Sequence, residues 1–396
     1  MIQIAHQRVG IPCAAAMDTG GRQRRRGIAI VIVLMFFPAL QCSAQPLEVV
    51  KSQEAEFQLE EVAEGLGVVW GMAFVGPAEL LFTEREGTVK KLDLSTGEIE
   101  EVSGVPKVRA SGQGGLLDVA VQQGYSPGDW IYFTYSRPQD GGAATTLGRA
   151  KLEGKQLRDW QDVLVTQSAG DSGIHFGSRI TFDDTGHVFF SVGDRGERDN
   201  AQDIANHAGT IIRLHLDGRI PEDNPFAAGE GLAEIWSYGH RNVQGLVFDA
   251  KHNRLWSNEH GPRGGDEINL IKPGQNYGWP VVSHGKEYWG PIQVGEGTQK
   301  AGMEDPVKVY IPSIAPGSLL LYSGQAFPRW QGNLFAGALV LKHLNRVVLN
   351  EAGETVAEER LLTELSERIR GLALSPEGWL YLSTDSGRIF RLRPPR

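Results

Sequence analysis

The chain of 396 residues is 41% hydrophobic and 22% charged, contains 50 glycines and carries a formal net charge of −9. This is ordinary globular composition with ample length for a large core. The acidic balance argues against nucleic acid or an anionic membrane as partner, permits cation binding, and says little about a neutral substrate.

The first 44 residues stand apart. In "GRQRRRGIAIVIVLMFFPALQCSAQP" a basic run (Arg22, Arg24, Arg25, Arg26) precedes an apolar core from Ile28 to Leu40, and Cys42-Ser43-Ala44 forms a small-residue cleavage site. This reads as a secretory signal peptide rather than a membrane anchor. Met17 is an alternative start, and Gln41 directly before Cys42 fits a lipidation signal poorly. Both cysteines, Cys13 and Cys42, fall in the leader. The mature chain, 45–396, is therefore expected outside the cytoplasm, periplasmic or secreted, with neither disulfide nor free thiol. Removing the leader takes away five arginines against Asp18 alone, so the remainder is more acidic still.

Beyond the leader, long amphipathic helical patterns are scarce. Short apolar strands separated by Gly, Asp, Asn and Pro turns dominate. Six segments share one order: strand, turn, strand, polar loop. In chain order they are "VVWGMAFVGPAELLFTEREGTVKKLDL", "GGLLDVAVQQGYSPGDWIYFTYSR", "GSRITFDDTGHVFFSVGD", "VQGLVFDAKHNRLWSNEHG", "GSLLLYSGQAFPRWQGNLFAGAL" and "RIRGLALSPEGWLYLSTDSGRIFRL". Such a repeat, with about four strands each, predicts an all-β, six-bladed β-propeller with long loops on the face that carries the site. A sandwich array or two β domains would compete, but no Pro/Ser-rich linker divides 45–396, which favours one domain.

Candidate chemistry concentrates where strands begin. Gln113 lies in "SGQGGLLDVA". His175 lies in "SGIHFGSRITF", between Gly173 and Gly177, where it reads either as a general base aimed into the central funnel or as a hydrogen-bonded structural histidine. Arg241 and Asn242, followed by Gln244, precede a strand in "SYGHRNVQGL" and suit a carboxylate- and carbonyl-rich ligand. Arg368 and Arg370 in "SERIRGLAL" share one strand face. The stretch "WSNEHGPRGGDEINLIKPGQNYGWP" supplies hard oxygen ligands in Glu259, Asp266 and Glu267. Its glycines let main-chain carbonyls turn toward one point, which suits Ca²⁺ as well as a solvated turn. The spacing is not an EF-hand, and His260 stands too nearly alone for zinc.

Taken together, "GQGGLLDVA", "HFGSRI", "GHRNVQGL", "NEHGPRGGDEIN", "NYGWP" and "RIRGLALSPEGWLYLSTD" resemble the soluble, pyrroloquinoline quinone (PQQ)-dependent aldose sugar dehydrogenases of the glucose/sorbosone dehydrogenase family, over about residues 58–394. The resemblance implies PQQ on the funnel end of the propeller and a Ca²⁺ that holds and polarises it. It implies His175 as the base that takes the C1 hydroxyl proton of a cyclic aldose, with a lactone as product. Gln113, Arg241, Asn242, Tyr288, Lys342, Arg368 and Arg370 are implied as cofactor contacts. The carbonyls of Gly261 and Pro262 are implied as ligands of the catalytic Ca²⁺, and Glu267 with the carbonyl of Tyr277 as ligands of a second, structural Ca²⁺.

The chain departs from the family pattern at Ile174, where glucose-specific members carry Asp. The group that orients His175 is thus left open, and Asp194 in "GDRGERDNAQD" is given no role. The competing functions are a Ca²⁺-dependent lactonase-type hydrolase, which would need a carboxylate-rich metal centre in the funnel, and a non-catalytic binding propeller, which would have lost His175 or the arginines.

Overall fold

Val-, Leu-, Phe- and Thr-rich strands joined by Gly- and Asp-containing turns pair into six antiparallel sheets. The computed structural model describes residues 49–395; the expected leader, the alternative start at Met17, and Cys13 and Cys42 lie outside the described residues. Blade 1 comprises Val69–Phe74, Glu79–Glu84, Thr88–Asp93 and Ile99–Val102. Blade 2 comprises Leu116–Val121, Trp130–Gln139, Gly142–Glu153 and Gln156–Val165. Blade 3 comprises Ile180–Phe182, His187–Val192, Thr210–His215 and Ile235–Tyr238. Blade 4 comprises Val243–Asp249, Arg254–Glu259, Asp266–Ile271 and Lys308–Tyr310. Blade 5 comprises Pro316–Leu321, Leu334–Ala338, Leu344–Leu349 and Thr355–Leu361. Blade 6 joins Ile369–Leu374, Leu380–Thr384 and Ile389–Arg393 to two strands from the other end of the chain, Glu56–Ala63 and Val49–Lys51.

The first strand of each blade packs on the first strand of the next, and blade 6 returns to blade 1, closing a six-bladed β-propeller. A single sheet cannot bury both its faces, and stacking around an axis does so. Six apolar clusters result, one between each pair of neighbouring blades. Ile131 and Phe133 of blade 2 pack toward blade 1, while Tyr132 between them packs toward Ile180 and Val188 of blade 3. The same alternation explains why second strands such as "IYFTY" and "VFFSV" read as continuous apolar runs. Trp330, Phe335, Leu382 and Phe390 fill the gap between blades 5 and 6, and Phe57 from the N-terminal strand joins them.

A repeated polar stitch runs around the axis. In blade 1 the backbone N–H of Gly71 donates to the Thr83 hydroxyl, which donates onward to the Leu117 carbonyl of blade 2. Thr134 accepts from Asp118 N–H at 3.0 Å and donates to the Ser178 carbonyl at 2.6 Å. Ser191 repeats the pattern between Arg179 N–H and the Val243 carbonyl, and Ser383 between Gly371 N–H and the Val69 carbonyl. Asn258 reaches the Ser318 carbonyl by its amide. Blade 5 has Gly337 at this position, because a side chain there would strike the carbonyl of Ile369.

Candidate active site

The inner strands of all six blades begin at one end of the axis, and their first residues line a funnel of about 200 Å³. Trp70, Gln113, Phe176, Asn242, Ala315 and Arg370 each come from a different blade start. His260, Leu339 and Asp385 add the ends of second strands. Gln113, Asn242, Arg368 and Arg370 all line the funnel.

His175 sits on a loop between blades 2 and 3 whose carbonyls are almost all held. Arg195 donates to the carbonyls of Ser172 and Ile174, Gln113 N–H to Gly173, Thr145 to Phe176, and Gln244 to Gly177. The Arg195 guanidinium also lies 3.5 Å from the centre of the Phe176 ring. Three non-glycine residues here take left-handed backbone, His175 (φ 53), Ser178 (φ 85) and Arg195 (φ 60). Such residues cost about 1–3 kcal/mol each and persist where the surroundings over-determine them, commonly at functional sites.

The buried His175 ring meets the Asp194 carboxylate, Nδ1 to Oδ1 at 2.7 Å. Asp194 Oδ1 also accepts from Gly196 N–H at 2.7 Å, and Oδ2 from the Trp279 indole at 2.8 Å. Burial alone would raise the Asp194 carboxyl, but the hydrogen bond from His175, that ring's charge and the Gly196 N–H hold it below the ordinary carboxylate range. An ionised Asp194 fixes the proton of His175 on Nδ1 and leaves Nε2 to accept one. Burial lowers the His175 pKa below its usual value; the Asp194 hydrogen bond opposes this, and the charge of Arg241 adds to it. The ring is therefore a neutral base at neutral pH.

Two arginines share one carboxylate across the funnel. Asp385 accepts from Arg370 Nε at 2.8 Å and Nη2 at 3.0 Å, and from Arg368 Nε at 2.8 Å. Arg368 also donates to the Leu339 carbonyl at 2.9 Å. Burial tends to raise the Asp385 carboxyl, but the charge of Arg370 and the hydrogen bonds from both guanidiniums keep it low. The trio keeps one net positive charge, aimed into the funnel. His260 donates Nε2–H to the Pro316 carbonyl at 2.8 Å and is kept neutral by burial, with a pKa of about 3.

Arg241 bridges the funnel to the 256–280 loop. Its N–H reaches Glu259 at 2.7 Å, and Nη1 donates to the carbonyls of His260 at 3.1 Å and Gly261 at 2.9 Å. Its Nη2 approaches the Tyr288 hydroxyl at 3.4 Å, and its Nε is buried without a partner. The Pro262 carbonyl accepts from Ser313 at 3.4 Å. The three acids of this loop are not equivalent ligands. Asp266 is spent on Gly261 N–H, Ala315 N–H and the Ser313 hydroxyl, and burial raises it to about 6. Glu259 is held by His240, Arg241 N–H and Asn269. Glu267 meets only Asn269, at 3.3 Å, and its carboxyl is pushed well above the ordinary range by burial and by the Glu259 charge. Beside it, Gly261, Glu259 and Tyr277 line a cavity of about 20 Å³. A void of that size holds one water or one ion, and two close carboxylates with Glu267 nearly bare suit a cation. Among the described residues no group of three or more His, Cys, Asp or Glu converges as a metal-ligand set, so a cation here would rely on carbonyls.

Tyr288 is 64% exposed on the long loop between the third and fourth strands of blade 4. Lys342, in left-handed backbone (φ 51) on the turn between the second and third strands of blade 5, is exposed and is not part of the funnel lining.

The glucose/sorbosone dehydrogenase family matches residues 66–391. The chain belongs to this family. The aldose sugar dehydrogenase YliI of Escherichia coli is 39% identical over 349 residues, covering 86% of this chain and 94% of the relative. The apo-form crystal structure of the soluble aldose sugar dehydrogenase of Escherichia coli superposes with a TM-score of 0.82 at 37% identity, covering 86% of this chain and 99% of that one. The PQQ-bound aldose sugar dehydrogenase of Streptomyces coelicolor superposes with a TM-score of 0.70 at 28% identity, over 86% and 98% of the two chains.

Within this member of the family, sequence reasoning missed Asp194, Trp279 and Asp385. Asp194 follows the second strand of blade 3, and the hairpin brings it back beside His175. Gly193 before it lets the chains approach, since a Cβ there would collide with the His175 carbonyl. A pattern of Gly-Asp after an apolar strand is the only local signal. Asp385 stands after the equivalent strand of blade 6, in "LSTDSG".

Proposed function

We propose that this glucose/sorbosone dehydrogenase oxidises the C1 hydroxyl of cyclic aldoses to lactones, with PQQ as hydride acceptor and Ca²⁺ as its Lewis acid. The observation that carries the reading is the buried His175–Asp194 pair on the loop whose next residues, Phe176 and Gly177, line the arginine-bearing funnel, in a chain whose relatives include an aldose sugar dehydrogenase. The funnel's donor chemistry fits a flat polycarboxylate: Arg368 and Arg370 are pre-aligned by Asp385, the Arg241 Nε lacks a partner, and Asn242 and Gln113 add amides. Bound PQQ supplies a two-electron acceptor for the hydride of C1.

The chain's own residues do the rest. His175 Nε2 takes the hydroxyl proton, and Asp194 steadies the resulting imidazolium. The arginines offset the cofactor's negative charge in a cavity partly shielded from water. Glu267, with the Tyr277 carbonyl, would hold a structural Ca²⁺, relieving the Glu259–Glu267 repulsion. The carbonyls of Gly261 and Pro262 would face a catalytic one. The same reading has the 1–44 leader removed on export and the 45–396 propeller acting outside the cytoplasm. No helix among the described residues is long and apolar enough to cross a membrane.

The test is dye reduction by chelator-stripped protein given PQQ and Ca²⁺ singly and together, with a panel of aldoses. Sugar-dependent reduction that needs both additions is the expected result. Reduction without PQQ, or failure to bind PQQ, would overturn the reading.

A further inference from the structure

Three exposed apolar side chains share one short loop between the third and fourth strands of blade 4: Tyr288 (64% exposed), Trp289 (75%) and Ile292 (50%). Single exposed apolar residues are ordinary on a protein surface, whereas a contiguous group beside a site marks a contact surface. The loop is braced rather than loose. Lys286 and Arg263 exchange backbone hydrogen bonds at 3.0 and 3.1 Å, and Glu287 N–H donates to the Ile292 carbonyl at 2.8 Å. Arg198 grips the Glu287 carboxylate with both terminal nitrogens, at 2.6 and 2.8 Å, and Arg263 donates to the Gly290 carbonyl at 2.7 Å. The Tyr288 hydroxyl reaches Arg241, whose charge is felt at His175. The fold thus holds a bare indole in place on a loop that Tyr288 joins to Arg241.

We propose that Trp289, with Tyr288, forms an outer sugar subsite that stacks on the second pyranose ring of an oligosaccharide substrate. The inference rests on the proposed oxidation at C1. In a reducing oligosaccharide that carbon belongs to the terminal ring, and every further unit is attached through another carbon. With C1 turned toward His175, the remaining units extend away from that ring, and the Tyr288 loop beside Arg241 is placed to meet them. A pyranose ring offers an apolar C–H face to an aromatic ring and equatorial hydroxyls to polar neighbours. Here the neighbours are Lys286 and the Arg198–Glu287 pair. Ligand sites combine an apolar platform with a few fixed polar groups in this manner.

The test compares wild type, W289A and W289F, reconstituted with PQQ and Ca²⁺, on glucose, maltose and maltotriose. In W289A the ratio of kcat/KM for maltotriose to that for glucose is expected to fall about fivefold, the loss of one aromatic contact, and W289F should restore most of it. An unchanged ratio overturns the subsite. If wild type oxidises no sugar, the proposed activity fails separately, and titration calorimetry with maltotriose decides the subsite alone. Binding weakened about fivefold in W289A then supports it, and binding equal in both proteins, or absent from both, overturns it.

Discussion

At the scale of single residues, Asp194 orients the buried ring of His175, the base of the proposed oxidation. A base must be unprotonated, and burial lowers the His175 pKa, so the acid limb of kcat/KM should lie below the ordinary histidine value of about 6.5. Turnover is then retained at mildly acidic pH and lost as pH falls through the lowered value. Asp194→Asn removes a partner that raises this pKa, so the limb should move further toward acid while kcat falls about a hundredfold or more, the ring having lost its tautomer control. A pH profile checks both parts; a lower rate with the limb unmoved would make Asp194 merely structural. His175 was legible in the sequence because it stands between glycines at a blade start. Asp194 was not, because a separation of 19 residues becomes a 2.7 Å contact only once the strand register of blade 3 is known.

At the scale of the element, every inner strand except that of blade 6 is fixed twice, by its own sheet and by the stitch from the preceding blade. Thr134 shows what this does for the site. Its hydroxyl satisfies the Asp118 N–H and the Ser178 carbonyl, and Ser178 closes the loop that carries His175. Thr134→Val keeps the shape and leaves two buried groups unpaired. It should lower stability by about 1–3 kcal/mol, measured as the denaturant midpoint, and Thr134→Ser should retain most of it; a loss in Thr134→Ser with none in Thr134→Val would show that the methyl and not the hydroxyl matters. The six strand sets were readable because both faces of the second strands are buried and the turns are rich in glycine. The completion of blade 6 by Glu56–Ala63 was not. "EFQLEEVA" buries only Phe57 fully, so it carries too little apolar pattern to announce its partner, and the register of Gln58 with Arg393 is set by a contact 335 positions away in sequence.

At the scale of the whole molecule, the ring has a hub. By strand register, blades 1, 4 and 6 have Gly71, Gly245 and Gly371 at one inner-strand position and blade 5 has Ser318, while blades 2 and 3 place Asp118 and Arg179 at the corresponding positions. The buried Arg179 donates to Asp118 at 2.8 Å, to the Gln244 carbonyl of blade 4 at 3.0 Å and to the Gly317 carbonyl of blade 5 at 2.7 Å, and it lies 4.2 Å from the Trp70 ring of blade 1. Burial raises the Asp118 carboxyl and lowers the Arg179 guanidinium, and their mutual attraction opposes both shifts. One side chain thus ties five blades directly beneath the funnel. Arg179→Met removes one partner and strands a buried carboxylate, which should cost about 3–5 kcal/mol of unfolding free energy. Adding Asp118→Leu removes the stranded charge, so the double variant should be more stable than Arg179→Met alone. Equilibrium unfolding of the four proteins in the cycle measures this. If the two losses simply add, the pair is uncoupled, and Arg179 acts only through the carbonyls of blades 4 and 5.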